Sequence, residues 1–159
     1  MMQSDLSDTP LRRADMRDWR QVADITAEGF AEDPVNRFVF GNRRAVLSGM
    51  RVMTRDIYLK QGFGHVHGDQ GSTLWLPPSV ESKFGPMTML KFAIGQIRHG
   101  KKGALARGQA LGELMAQHHP KEPHLYLFAI TTREAARGKG VGKALLDPIL
   151  AHADREDLP

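Results

Sequence analysis

The sequence predicts an α/β domain, an interpretation that rests on the chain length, one strand hairpin and one apolar strand that precedes a helix. The 159 residues match the size of one domain, and no repeat or linker divides them, so we expect residues 1–159 to form a single unit. Phe63–His67 and Ser72–Leu76 predict two strands joined by a tight turn. The most apolar strand, Leu125–Ile130, does not alternate with polar residues, which predicts a central strand covered on both faces.

The other predicted elements are one short strand and five helices. A strand at Leu11–Ala14 precedes a helix that Asp15 caps and that ends before Pro34, because a residue before proline is driven out of the helical region. Apolar residues at helical spacing predict a second helix at Arg43–Lys60, which Gly62 ends. Three more helical patterns lie around Met87–Ile97, Leu111–Met115 and Gly140–Asp154.

The composition is that of a globular domain and restricts the chemistry available. Hydrophobic residues make up 41% of the chain and charged residues 25%. The absence of cysteine excludes disulfides, thiolate metal sites and a cysteine nucleophile. No apolar run reaches the roughly 18 residues of a membrane span, and residues 1–5 do not have the pattern of a signal peptide. We therefore expect a cytoplasmic protein without a membrane partner.

Basic residues concentrate in the C-terminal half. Lys91–Lys143 contains ten Lys and Arg against three Glu, a net charge of +7, so the rest of the chain sums to −3 within a total of +4. This asymmetry favours an anionic partner, either a phosphorylated small molecule or a nucleic acid, although solvated helix faces explain it equally well. Nucleic-acid binding is the weaker alternative, because no aromatic residues interleave with the charges.

A glycine-rich turn follows the apolar strand and opens the last helix. It reads Arg137-Gly138-Lys139-Gly140-Val141-Gly142-Lys143. Backbone amides in such a turn point the same way, and the helix adds about half a positive charge at that end, so the turn is predicted to bind an anion. Arg137, Lys139 and Lys143 add charge around it.

Three known glycine signatures distinguish what this turn binds. The nucleotide pattern G-x-x-x-x-G-K-[ST] fails, because Arg137 stands at its first position and Ala144 at its last. The dinucleotide pattern G-x-G-x-x-G fails because Lys143 replaces its third glycine. The pattern [RQ]-x-x-G-x-[GA] after a buried strand is met in full by Arg137, Gly140 and Gly142.

With this motif in its strand and helix context, the sequence resembles the GCN5-related N-acetyltransferase (GNAT) superfamily. More loosely, the helix to Phe30 with Asp33-Pro34, the strand Leu74-Trp75-Leu76-Pro77-Pro78 and the extra helices before the apolar strand resemble the branch that includes puromycin-type acetyltransferases. The resemblance implies a mixed, mostly antiparallel sheet flanked by helices. It also implies an enzyme that moves the acetyl group of acetyl-CoA directly to a primary amine, without a metal.

The resemblance also implies the binding residues. Backbone amides of Gly138–Lys143 would hold the pyrophosphate of acetyl-CoA, and the strand end would pair with its pantetheine arm as another strand does. The acceptor would be a small-molecule or peptide amine, with Phe30, Asp33 and Trp75 at its site, although a place in the core explains most such aromatic residues. The implied cofactor-binding residues are Ile130, Thr131, Thr132, Arg137, Gly138, Lys139, Gly140, Val141, Gly142 and Lys143.

The catalytic acid and base stay open. His124, Glu32 and Asp33 are candidate general bases, each also explained as a loop or capping residue. Neither Tyr58 nor Tyr126 lies where the family has the tyrosine that protonates the thiolate. His65 and His67 lie on one face of a predicted strand and could begin a metal site. No third ligand is evident nearby, so surface histidines are the default interpretation.

After the helix that corresponds to Gly140–Asp154, the family continues with a strand, a further helix and closing strands. We therefore expect a chain that is incomplete at its C-terminus, or one that completes its sheet with a partner such as a second copy in a homodimer. The alternative function is a catalytically impaired module that binds CoA or acyl-CoA.

Overall fold

A four-stranded antiparallel sheet organises the computed structural model, which describes residues 11–159. The expectation about residues 1–5 lies outside the described residues. The predicted hairpin is confirmed, and helices flank the sheet as the predicted α/β class requires. The strands are β1 (Leu11–Arg13), β2 (Phe63–His67), β3 (Gly71–Leu76) and β4 (Tyr126–Thr132), in the spatial order β1-β2-β3-β4.

Seven α-helices accompany these strands in the described residues: α1 (Trp19–Phe30), α2 (Pro34–Phe40), α3 (Arg43–Met53), α4 (Leu59–Gln61), α5 (Pro86–His99), α6 (Ala104–His118) and α7 (Val141–Arg155). A π-helical segment, Thr54–Tyr58, joins α3 to α4, so the helix predicted at Arg43–Lys60 is present with one irregular turn. None of the described helices is both long enough and apolar enough to cross a bilayer.

Helix α2 is an element that the sequence interpretation missed. The sequence pattern predicts Pro34 only as the end of the preceding helix, yet it occupies the first turn of α2. Proline is favoured there because that position has no helical partner for a backbone N–H. Asp33 caps α2 by accepting a hydrogen bond from the amide of Asn36 at 2.8 Å.

Within residues 11–159 the apolar strand does not take the central place that its sequence predicts. β4 is the last strand of the sheet and pairs only with β3 in residues 11–159. Its faces are nevertheless both covered, because α1 packs on one face and α7 on the other. The lack of alternation therefore indicates that both faces of β4 are covered. It does not indicate whether the strand pairs with a neighbour along one edge or along both.

The face that α1 covers carries most of the core. Val22 of α1 is fully buried against Leu74 and Ala129 of the sheet. Helix α1 and strand β4 approach each other closely at Gly29, where a β-carbon would overlap the Cγ2 atom of Thr131. Thr131 near the end of β4 is thereby fixed against the first helix.

Candidate functional site

The predicted turn leaves the end of β4 and presents an open concave backbone. A short 3-10 turn, Glu134–Ala136, leads from β4 into it, and α7 begins at Val141. Gly138 and Gly140 have φ angles of 74° and 78°, in the left-handed region that side chains disfavour. A β-carbon at either glycine would meet no atom within 4 Å, so the space in front of them is empty.

The first amides of α7 face this space without a partner. Gly140 is the N-cap residue, and no side chain in the described part of the chain caps the helix. The first helical hydrogen bond runs from the amide of Ala144 to the carbonyl of Gly140 at 2.9 Å. The amides of Val141, Gly142 and Lys143 therefore remain available, as expected for the first turn of a helix, and they lie at the positive end of its dipole.

The positive side chains around the turn differ in how free they are. Lys143 forms an ion pair with Asp147, one turn further along α7. Arg137 and Lys139 are exposed and make no ion pair with any described residue. These two side chains can therefore contribute their full charge to an anion bound at the turn.

Arg133 holds the start of the turn in place, and sequence reasoning counted it only as one of many basic residues. Its guanidinium pairs with Glu28 of α1 and with Asp69 in the β2–β3 turn, at 3.0 Å to the latter. Its Nε also donates to the Asp69 carbonyl at 2.8 Å, and its backbone amide donates to Gln70 at 2.8 Å. The partners lie 105 and 64 positions away, so no local pattern could have shown this role.

A β-bulge interrupts the pairing of β4 with β3. Leu74 pairs with Ala129, but the next residue, Trp75, pairs with Leu127, which leaves Phe128 as the extra residue. The ring of Phe128 stacks on Tyr58, with centroids 3.9 Å apart and an interplanar angle of 13°. Bulges re-aim side chains and interrupt strand pairing, and they are over-represented next to active sites.

The outer edge of β4 pairs with no strand in the described part of the chain. The one backbone hydrogen bond found beside its start comes from the Leu125 amide, which donates to the Pro159 carbonyl at 3.1 Å. Beyond that point, towards the glycine turn, the backbone groups of this edge are available to an extended ligand. Ile130, Thr131 and Thr132, predicted to run beside pantetheine, form this part of the strand.

The residues predicted at the acceptor site are not brought together. Phe30 is half-buried and packs between the core clusters on the α1 face. Asp33 is occupied as the cap of α2. Trp75 is 3% exposed and stacks on Phe63, on the opposite face of the sheet from Leu74 and α1. Their contact with an acceptor stays a prediction.

The three candidate bases differ in whether their polar atoms already have hydrogen-bond partners. Glu32 accepts hydrogen bonds from Arg43 at 2.8 Å and from Arg37 at 2.7 Å, and the bond from Arg43 above all lowers the pKa of this carboxyl group, which makes it a poorer base. The oxygen Oδ1 of Asp33 accepts two hydrogen bonds from Asn36. His124 alone keeps an unengaged buried atom, its Nε2.

The paired histidines of β2 form no metal site in the described residues. His65 and His67 lie opposite Thr73 and Gly71 of β3, which are not metal ligands of the kind required. Burial lowers the pKa of His65. Across residues 11–159, no group of three or more His, Asp or Glu is placed to hold a metal ion.

Comparisons with known proteins agree with this geometry. The model of the acetyltransferase (GNAT) family matches residues 83–158, which include β4, the glycine turn and α7. A crystal structure from Corynebacterium glutamicum, described as histone acetyltransferase HPA2 and related acetyltransferase, has a TM-score of 0.64 to this chain. It is 26% identical, and the match covers 90% of this chain and 70% of that one. No curated protein matches the chain.

Proposed function

We propose that the chain transfers the acetyl group of acetyl-CoA directly to a primary amine, because residues 83–158 match the acetyltransferase (GNAT) family and a solved acetyltransferase has a similar fold. The observation that carries the proposal is the open turn Gly138–Lys143 at the end of β4, with uncapped amides and two left-handed glycines. The proposed acceptor is a small-molecule or peptide amine.

In this proposal the turn binds the pyrophosphate of acetyl-CoA. The amides of Val141, Gly142 and Lys143 donate to its oxygens, and the dipole of α7 favours its negative charge. Arg137 and Lys139 are free to add charge from the rim. The glycines matter because a β-carbon would occupy the space that a phosphate needs.

The length of the pantetheine arm connects this turn to the bulge. The arm has roughly as many backbone bonds as four residues of polypeptide, about 13 Å when extended. Counted back along β4 from Thr132, four residues lead to Phe128, the extra residue of the bulge. We therefore infer that the thioester lies beside the bulge, where a strand amide outside the regular ladder is suited to polarise its carbonyl.

The chemistry asked of the protein is mostly positioning. A neutral amine attacks the thioester carbon, the new C–N bond forms, and the C–S bond breaks to give CoA thiolate. Holding both reactants at one strand edge supplies a large part of such a rate enhancement, and a proton acceptor adds to it.

Two measurements test the proposal on the purified chain. Calorimetry should show saturable binding of acetyl-CoA, and a thiol assay should show CoA release with at least one member of a panel of amines. A folded protein without saturable binding at millimolar acetyl-CoA would rule out the proposed function. Binding without thiol release from any amine would instead support the alternative, a catalytically impaired CoA-binding module.

A further inference from the structure

The imidazole of His124 has one engaged nitrogen and one free nitrogen. Nδ1 lies 2.7 Å from the carbonyl oxygen of Glu122. A carbonyl only accepts hydrogen bonds, so in the neutral ring the hydrogen sits on Nδ1, and Nε2 carries the lone pair. Nε2 is buried and has no hydrogen-bond partner among residues 11–159. A buried acceptor without a partner costs free energy and calls for an explanation.

Two other titratable side chains lie beside the ring of His124. The ring of His119, which follows α6, lies 4.8 Å from that of His124 and 5.1 Å from that of Tyr126. The rings of His124 and Tyr126 are 6.3 Å apart. Burial raises the pKa of Tyr126, so its hydroxyl stays protonated at neutral pH. We refer to His119, His124 and Tyr126 as the aromatic trio.

The aromatic trio lies at the end of β4 opposite to the glycine turn. Tyr126 begins β4, and Thr132 ends it. Tyr126 is two residues from Phe128, about 7 Å along the strand. A cofactor that enters over the glycine turn and reaches the bulge leaves this opposite end of the strand for the acceptor amine.

Acetyl transfer releases a proton that must leave the site. An amine that arrives as an ammonium ion loses two protons on its way to the amide. One of them is taken by the CoA thiolate, and the other passes to solvent. The balanced reaction therefore needs a proton acceptor near the amine.

We propose that Nε2 of His124 takes up this released proton, with Tyr126 between the imidazole and the reacting atoms. The other candidate bases are engaged, since Glu32 is held by two arginines and Asp33 caps α2. The inference rests on the proposed function, and it adds a residue for the proton step.

The first test replaces His124 by asparagine. The side-chain amide of Asn can still donate to the Glu122 carbonyl, but it has no basic atom. We expect His124→Asn to lower kcat with a responsive amine by at least about 10-fold, near the lower range of general-base effects, while KM for acetyl-CoA stays within about 2-fold. The matched control is His118→Asn, because His118 also directs Nδ1 to a backbone carbonyl, that of Leu114 at 2.9 Å, but lies on an exposed helix end.

A second variant separates proton transfer from a structural role. His124→Gly removes the ring, and added imidazole should restore part of the lost kcat in a saturable way. A kcat of His124→Asn within 3-fold of wild type would overturn the inference, and so would a His124→Gly variant that is folded by circular dichroism, slow and unresponsive to imidazole. A wild-type chain that releases no thiol with any amine would contradict the proposed function instead, so the two failures are distinguishable.

Discussion

Replacing Gly140 by valine tests the glycine turn most directly. Gly140 has φ 78°, and a side chain in this left-handed region costs about 1–2 kcal/mol of stability. No protein atom lies within 4 Å of the added β-carbon, so the free protein has room for it. The same side chain would project into the space assigned to the pyrophosphate.

The expected effect on binding is larger than the effect on stability. Hydrogen bonds to a charged group contribute about 1.5–3 kcal/mol each, and an obstructed phosphate would lose at least two of them. The loss of about 3–6 kcal/mol corresponds to a weakening of acetyl-CoA affinity by at least about 100-fold. Calorimetry of the variant and of wild type measures it.

The matched control for this change is Gly112→Val. Gly112 lies in α6, and a β-carbon there also meets no atom within 4 Å. Valine and glycine have similar helix propensities, so stability should change by less than about 0.5 kcal/mol, and acetyl-CoA affinity should stay unchanged. If Gly140→Val binds acetyl-CoA within 3-fold of wild type, the turn is not the pyrophosphate site.

Three further predictions concern two supports of the site and the stability of the fold. Arg133→Gln should cost about 1–2 kcal/mol by chemical denaturation and weaken acetyl-CoA binding several-fold, because the turn loses its ties to α1 and to β2–β3; unchanged affinity would contradict this role. Gly29→Ala should destabilise the chain by about 1–3 kcal/mol through its overlap with the Thr131 methyl group, and Thr131→Ser should relieve part of that cost in a double-mutant cycle. The Arg17 side chain and backbone lower the pKa of Asp15 to about 2, so this carboxylate stabilises the fold above the ordinary value of 3.8 and that contribution is lost as pH falls towards 2. The difference in Tm between wild type and Asp15→Asn should therefore shrink over that interval, and a constant difference would contradict it.

Local patterns in the sequence were enough to predict most elements. The helix predicted at Arg43–Lys60 and the hairpin Phe63–Leu76 were found because apolar spacing and glycines act within a few residues. The missed helix α2 shows the limit of one rule, since Pro34 both ends one helix and starts the next.

Local sequence patterns likewise predict one part of the candidate site and not the rest. The glycine turn is contiguous, and its strand, turn and helix are where the motif predicts. The clamp of Arg133 joins three segments distant in sequence, and the free nitrogen of His124 depends on a carbonyl that no pattern marks. Such features become visible only when the chain is folded.

The position of β4 at the edge of the sheet in residues 11–159 bears on the proposed chemistry. A strand with two covered faces and one unpaired edge is normally a liability, because its free backbone groups can pair with another chain. In residues 11–159 this edge runs from the aromatic trio past Phe128 to the glycine turn. An extended ligand that carries its own amides can pair with such an edge as an added strand, and pantetheine has two of them. The edge of β4 that is unpaired in residues 11–159 is therefore the feature that best supports the proposed binding of the acetyl-CoA arm.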